Sequence, residues 1–265
     1  MRSTIKLHYR ILQLFFKRSW KIVKMETRNF YFYIAAFIGM MIGNVLLLQT
    51  AFNNIPAIAG WNFYNVLALF ATFRITRGIF GCFIGANLSN LFQTIRKGNL
   101  DLFLIKPASA WFMLNLQIVD LARIVDIGCG VGLLIYTLFF IHWSVLNLFL
   151  YLCFILLALI LLSCTNVLIS MTSFLNVRET MLSFVEKLQR ATTRFPLRFA
   201  GDTVEFIFTW LLPLMFLTTI PVEVLEGRIN LVYAFASAFI LCAFYIWLTQ
   251  FCWRKALLSY SSASS

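Results

Sequence analysis

The chain has 265 residues, 61% of them hydrophobic and 12% charged, with a mean hydropathy of +0.85 and a net charge of +12. That much apolar surface, arranged in span-length blocks, exceeds what a soluble core of this length hides, and it marks an all-α polytopic membrane protein. The basic residues gather between the blocks, where they suit anionic lipid headgroups, and they build no soluble reading face for nucleic acid, so no nucleic-acid partner is expected.

Residues 1–28 read as an N-terminal arm. Lys6, Arg10, Lys17, Lys21, Lys24 and Arg28 follow at steps of three, four or seven, which keeps them on one stripe of a 3.6-period helix. Ile5, Leu12, Phe15, Phe16, Trp20 and Val23 cover the neighbouring faces. This is the pattern of an amphipathic helix lying in the inner membrane interface, with Trp20 at headgroup depth and the lysines on lipid phosphate. A cleaved signal peptide does not fit, because the apolar run 30–49 is span-length and the basic stretch before it is too long. A docking surface for a partner is the other use of such an arm.

From 29 to 255, six blocks reach the roughly 20 apolar residues that cross about 30 Å of hydrocarbon: near 30–50, 62–84, 122–141, 145–169, 203–222 and 230–252. Eight Lys and Arg precede residue 29, four fall in 91–123, five in 174–200 and two near the end of the chain. The loops near 52–61 and 142–144 hold none, and 222–229 holds only Arg228. The positive-inside bias therefore predicts six spans with both termini cytoplasmic in a bacterial-type inner (plasma) membrane, ending in a polar tail at 256–265.

Span two carries Arg74 and Arg77, three residues apart on one face of an otherwise apolar helix. Charge inside a span is costly and faces a bundle interior, a wet path or the headgroups. For a helix that enters at Trp61, Arg77 lies about 24 Å along the axis and can snorkel to the cytoplasmic surface. Arg74 is deeper, and contact with an anionic substrate or a partner subunit is its functional alternative. Between spans two and three lies the most polar interior stretch, 91–112, with Arg96, Lys97, Asp101 and Lys106, a flexible Gly98 and a helix-stopping Pro107. Its cytoplasmic placement suits contact with a soluble partner.

Span three opens on Val125-Asp-Ile-Gly-Cys-Gly-Val-Gly132, which imitates a nucleotide-cofactor loop. Such a loop needs a buried strand before it and an acidic residue about 20 positions on, whereas no Asp or Glu occurs between Asp126 and Glu179. Gly128 and Gly132 instead form a small-xxx-small pair for close helix packing. In 174–200, Met181, Phe184, Val185 and Leu188 predict an amphipathic surface helix that Phe195-Pro196 ends. Asp202 and Glu205 then read as a capping box starting span five, in which Pro213 and Pro221 predict a kinked or broken, partly re-entrant helix.

Chemistry-bearing groups are scarce. Six cysteines lie in or at the ends of apolar blocks without a CxxC pair, and His8 and His142 are the two histidines, so no metal site and no catalytic constellation is expected. No G-x-x-x-x-G-K-[ST] loop occurs, so the chain is not expected to be an enzyme or to hold a cofactor. An ion-coupled secondary transporter, or another six-span protein without an ATPase, fits the same composition, although midplane carboxylates are few.

Three places carry a resemblance: Ile95-Arg-Lys-Gly98-Asn-Leu-Asp101-Leu-Phe-Leu104-Ile-Lys-Pro107, Phe195-Pro196, and the run Trp210-Leu-Leu-Pro213 through Ile220-Pro221 to Gly227. The first is similar to an I-x-x-G-x-L-D-x-x-L-x-x-P signature, and together with length and span count the chain resembles the membrane subunit of an ABC-2-type exporter. The resemblance implies a cytoplasmic coupling helix shaped by Gly98, Leu100, Asp101, Leu104 and Pro107, with Arg96, Lys97 and Lys106 meeting the ATPase. It also implies two ATP-binding subunits that hold ATP and Mg, and a second permease chain, a sister permease being favoured over self-pairing. The substrate it implies is lipid-like, a glycan or an amphiphile.

Overall fold

The computed structural model describes residues 2–25, 27–54, 57, 60–88, 118–171, 187–189 and 201–258, with the backbone alone described for 2–12, 22, 54 and 256–258. Its elements are helical throughout. Helix α1 (Arg2–Met25) is the arm and α2 (Thr27–Asn54) the first long apolar helix. α3 (Phe63–Phe80) continues through a π-bulge, Gly81–Gly85, to Leu88. A short 3-10 turn, Leu121–Arg123, opens α4 (Ile124–Leu138), and α5 (Val145–Met171) follows. The last third holds α6 (Asp202–Phe206), a π turn (Ile207–Leu211), a 3-10 turn (Met215–Leu217), α7 (Thr219–Leu225) and α8 (Leu231–Leu258).

Five helical stretches are long and apolar enough to cross a membrane: Thr27–Asn53, Phe63–Leu88, Leu121–Leu138, Val145–Met171 and Leu231–Lys255. Their starts follow from local chemistry. Asn62 and Asn65 cap α3 reciprocally, each side-chain oxygen accepting from the other's backbone N–H at 3.0 Å. Ser144 Oγ accepts from Asn147 N at 3.1 Å before α5, and Asn230 Oδ1 from Val232 N at 3.0 Å before α8.

α3 sits at the centre, buried from Asn65 to Phe80 except at Arg74, Arg77 and Ile79, and it packs on α2, α4, α5 and α7. Against α4 the fit is closest at two reciprocal glycines. A Cβ added to Gly78 would stand 2.8 Å from Ile127 Cγ1 and 3.1 Å from the Ile127 backbone N, and one added to Gly130 3.0 Å from the Ile75 backbone N. Neither backbone atom can swing aside, so α3 and α4 approach only because both positions lack a side chain. This corrects the expected pairing: Gly128 and Gly132 are exposed with nothing within 4 Å, and Gly130 between them makes the contact.

The stretch 203–222 is not one continuous helix. Leu212–Leu214 interrupts it beside Pro213, whose missing N–H and ring exclude a helical bond there. Pro221 causes no break, because it falls in the first turn of α7, where its N–H would have no intrahelical acceptor. Nor does the expected capping box form. The cap of α6 is Gly201 at φ +95°, a conformation suited to glycine, and Asp202 is the first helical residue without a capping bond. Asp202 shares a cleft with Tyr233 and Ser237, while Tyr245 Oη donates to the Leu211 carbonyl, so 202–211 descends beside α8 in the same direction and α7 returns.

Candidate functional site

Arg74 and Asp126 meet where α2, α3 and α4 converge. Arg74 Nη1 stands 3.8 Å from Asp126 Oδ1, with the side chains 15% and 5% exposed. The guanidinium lies 5.1 Å from the centre of the Phe37 ring and 4.9 Å from that of Phe70, which gives the desolvated cation two π faces. The other carboxylate oxygen of Asp126 accepts from Tyr33 Oη at 3.3 Å and Arg123 Nη1 at 3.4 Å. Arg123 also bonds Tyr33 Oη at 3.3 Å and lies 3.5 Å from Asp120 Oδ2. Two arginines and two aspartates make the cluster neutral, the condition under which charge can be buried without prohibitive desolvation cost. Arg77 donates to Gln189 Oε1 at 3.1 Å and lies over Phe80, tying α3 to the 187–189 segment.

Sequence reasoning singled out Arg74 but missed its partner, treating Asp126 as part of a false cofactor loop. A usable signal was present: one arginine and one aspartate in consecutive, oppositely directed apolar blocks. Tyr33 and Arg123 carried no comparable signal.

One turn further along α3, the helix hands over to the segment that begins at 89. The π-bulge at Gly81–Gly85 shifts the hydrogen-bond ladder, and the Cys82 carbonyl accepts from Asp120 N at 2.9 Å. Asn87, 1% exposed, then closes the joint: its Nδ2 donates to the Ile118 carbonyl at 2.6 Å and its Oδ1 accepts from Ile118 N at 2.7 Å. Ser19 of α1 accepts from Val119 N at 3.2 Å, and Phe16 packs on Phe83 with ring centres 6.4 Å apart. Residues 87 and 118 are thus held together in a three-way hydrogen-bonded joint between α1, α3 and the stretch leading into α4. Arg96, Lys97, Gly98, Leu100, Asp101, Leu104, Lys106 and Pro107 lie outside the described residues, as do Phe195, Pro196 and residues 259–265 of the expected polar tail, whose first three residues instead end α8.

At the other end of α3 the loops are tied by charge. Arg228 pairs with Glu226, donates to the Gly60 carbonyl at 3.2 Å and lies 5.3 Å from the Trp61 ring centre, while Asn65 donates to Glu226. Burial raises the Glu226 carboxyl above its ordinary value of 4.5, partly offset by Arg228 and the Asn65 bond. α3 therefore has a polar tie at each end, with the Arg74–Asp126 pair and the Thr72–Tyr151 bond set in apolar packing between.

No group of three or more His, Cys, Asp or Glu that could hold a metal occurs among the described residues. No curated protein and no solved structure matches the chain. The family described as ABC-2 family transporter protein matches residues 38–264, which takes in every described helix from α3 onward and most of α2. That match covers most of the chain, five of whose helices are long and apolar enough to cross a membrane, and the chain belongs to the ABC-2 transporter family as a multi-pass permease.

Proposed function

We propose that this permease forms the path for a lipid-like, glycan or amphiphilic substrate, and that ATP hydrolysis in separate subunits drives it through the segment 91–112. ABC-2 permeases work with ATP-binding subunits. In this reading two such subunits hold ATP and Mg, Arg96, Lys97 and Lys106 meet them, and Gly98, Leu100, Asp101, Leu104 and Pro107 shape the coupling helix. A second permease chain, a sister permease, completes the path. The basic residues before 29, in 91–123 and in 174–200 support an inner (plasma) membrane with both termini cytoplasmic. An even number of crossings then requires a sixth beyond the five long helices.

The observation that carries this reading is the joint at Asn87 and Ile118. Asn87 and Ile118, which flank that segment in sequence, are bonded to each other, so a load applied through it reaches α3 and α4 at once, and α3 and α4 are locked together at Gly78 and Gly130. Arg74 and Arg77 are assigned to that load path, because the partners seen for them, Asp126 and Gln189, belong to this chain. Asp101→Ala and Gly98→Pro are expected to leave insertion unchanged while reducing ATPase association and coupled hydrolysis in the reconstituted complex. Wild-type coupling in both variants would sink the assignment.

A further inference from the structure

α1 presents two faces. One is seated on the joint: Phe16 packs on Phe83, Ser19 Oγ accepts from Val119 N, and Val23 packs with Cys82, Val119 and Leu121. At about 100° per residue, Lys17, Lys21 and Lys24 share a sector roughly 130° round the helix from those three, and each is exposed. Lys6 and Arg10 fall on the same stripe by spacing. The sign of this outward face holds whichever segment lies beside it. Residues 1–28 contain eight Lys and Arg and one acid, Glu26. Asp101, Glu179 and Glu186, the other acids in stretches outside the described residues, would leave it positive even together.

Two further features choose the partner. Large apolar side chains flank the stripe, Trp20 on one side at 58% exposed, Leu14 and Met25 on the other at 64% and 81%. Cations interleaved with exposed apolar and indole groups suit the headgroup layer of a bilayer, which satisfies both at once. The second feature is depth. α1 ends at Met25, and Thr27, whose Oγ1 donates to the Lys24 carbonyl at 3.0 Å, opens the span-length α2. The arm therefore lies where the chain enters the membrane, and anionic phospholipid is the partner of matching charge at that level.

The seat of the other face is slight. One hydroxyl-to-backbone bond and a small apolar cluster hold it, and a cavity of about 350 Å³ remains between Ser19 and Val23 of α1 and Phe30 and Tyr33 of α2. Attraction of several cations to an acidic leaflet is comparable with such contacts. We infer that the basic face of α1 binds anionic phospholipid and that this binding seats the arm on the Asn87–Ile118 joint, so that coupling through the joint follows the acidic-lipid content of the leaflet. The effect on coupling rests on the proposed function; the lipid contact and the seating do not.

Hydrogen exchange of the full chain in nanodiscs reads the seat without an ATPase, because the Val119 amide has Ser19 Oγ as its acceptor. Nanodiscs of phosphatidylcholine alone are compared with an equal mixture of phosphatidylcholine and phosphatidylglycerol. The Val119 amide should exchange several-fold more slowly in the mixture, and raised salt should remove the difference. In Lys17→Gln/Lys21→Gln/Lys24→Gln, changed at three exposed positions that do not endanger folding, exchange should be fast in both lipids, and Lys17→Arg/Lys21→Arg/Lys24→Arg should restore the difference. Ser19→Ala should exchange fast in both. Wild-type rates within twofold of each other in the two lipids, or an undiminished lipid response in the glutamine variant, would overturn the proposal. So would loss of ATPase association by that variant in detergent, which would make the stripe a protein-docking surface. In the complex with its ATPase, phosphatidylglycerol should raise ATP hydrolysis several-fold in the wild type and leave the glutamine variant unchanged; hydrolysis indifferent to lipid would overturn the role of the seat in coupling. Lipid-dependent exchange with no ATP hydrolysis in either lipid removes the ATPase reading alone.

Discussion

The two sides of this bundle are packed in opposite ways. α3 and α4 touch backbone to backbone through Gly78 and Gly130 and share the Arg74–Asp126 pair, whereas 202–211 stands off α8 across a cleft of about 330 Å³ and is broken beside Pro213. The first arrangement moves as one body, because close-packed surfaces with buried charge resist sliding. The second leaves room and an interrupted hydrogen-bond ladder, the conditions for local rearrangement at low cost. The proposed function uses both, a stiff element to carry displacement and a compliant one to rearrange around cargo.

The stiff side breaks hardest at its charge pair. Asp126→Leu leaves Arg74 buried beside phenyl rings without its carboxylate and should cost about 3–5 kcal/mol, measured as loss of thermal stability in detergent. The double variant Arg74→Met/Asp126→Leu should recover much of that loss, since an apolar pair of similar volume carries no uncompensated charge. Next in size is Gly130→Ala. Its Cβ meets Ile75 and the Ile75 backbone N within about 3 Å, so a loss of about 1–3 kcal/mol is expected. Gly128→Ala and Gly132→Ala, with nothing within 4 Å, should instead be neutral or stabilising by about 0.5–1 kcal/mol through helix propensity. Equal effects at Gly128 and Gly130 would remove the distinction between the two faces of α4.

Asn87→Leu removes the bonds that join 83, 87 and 118 and leaves buried backbone groups unpaired, at about 1–3 kcal/mol. Its signature should be lower coupled ATP hydrolysis at equal expression. The smallest effect concerns Glu226. Its carboxyl is raised in the folded protein by burial, so the folded state holds that proton more tightly than the unfolded one. Stability from this group is therefore greatest at low pH and declines as pH rises from its ordinary value through the raised one. Glu226→Gln should flatten the stability–pH profile in that window by less than about 1 kcal/mol. An unchanged slope would dissociate Glu226 from it.

Much of this was legible in the order of residues. Hydropathy blocks located the five long helices within a few residues, and the prolines located the break, because bilayer thickness and the missing proline N–H act locally. What escaped were contacts between blocks. Which of Gly128, Gly130 and Gly132 meets α3 depends on helix rotation, which a small-residue spacing leaves open. Asp126 looked like part of a loop motif because its partner lies 52 positions earlier. Asn87 gave no sign at all, since its role depends on where 118 returns. The course of 202–211 was likewise set by what it packs on, and no periodicity encodes direction.

Spin-label distances in a cysteine-free background test the division most directly, with the complex held alternately nucleotide-free and ATP-bound. Labels at Asn62 and Phe139, both exposed, report the N-terminal end of α3 and the C-terminal end of α4, and labels at Phe206 and Val232 report the cleft. A constant Asn62–Phe139 distance with a Phe206–Val232 distance that shifts between the two states is the expected result. A shifting Asn62–Phe139 distance beside a fixed cleft would contradict it.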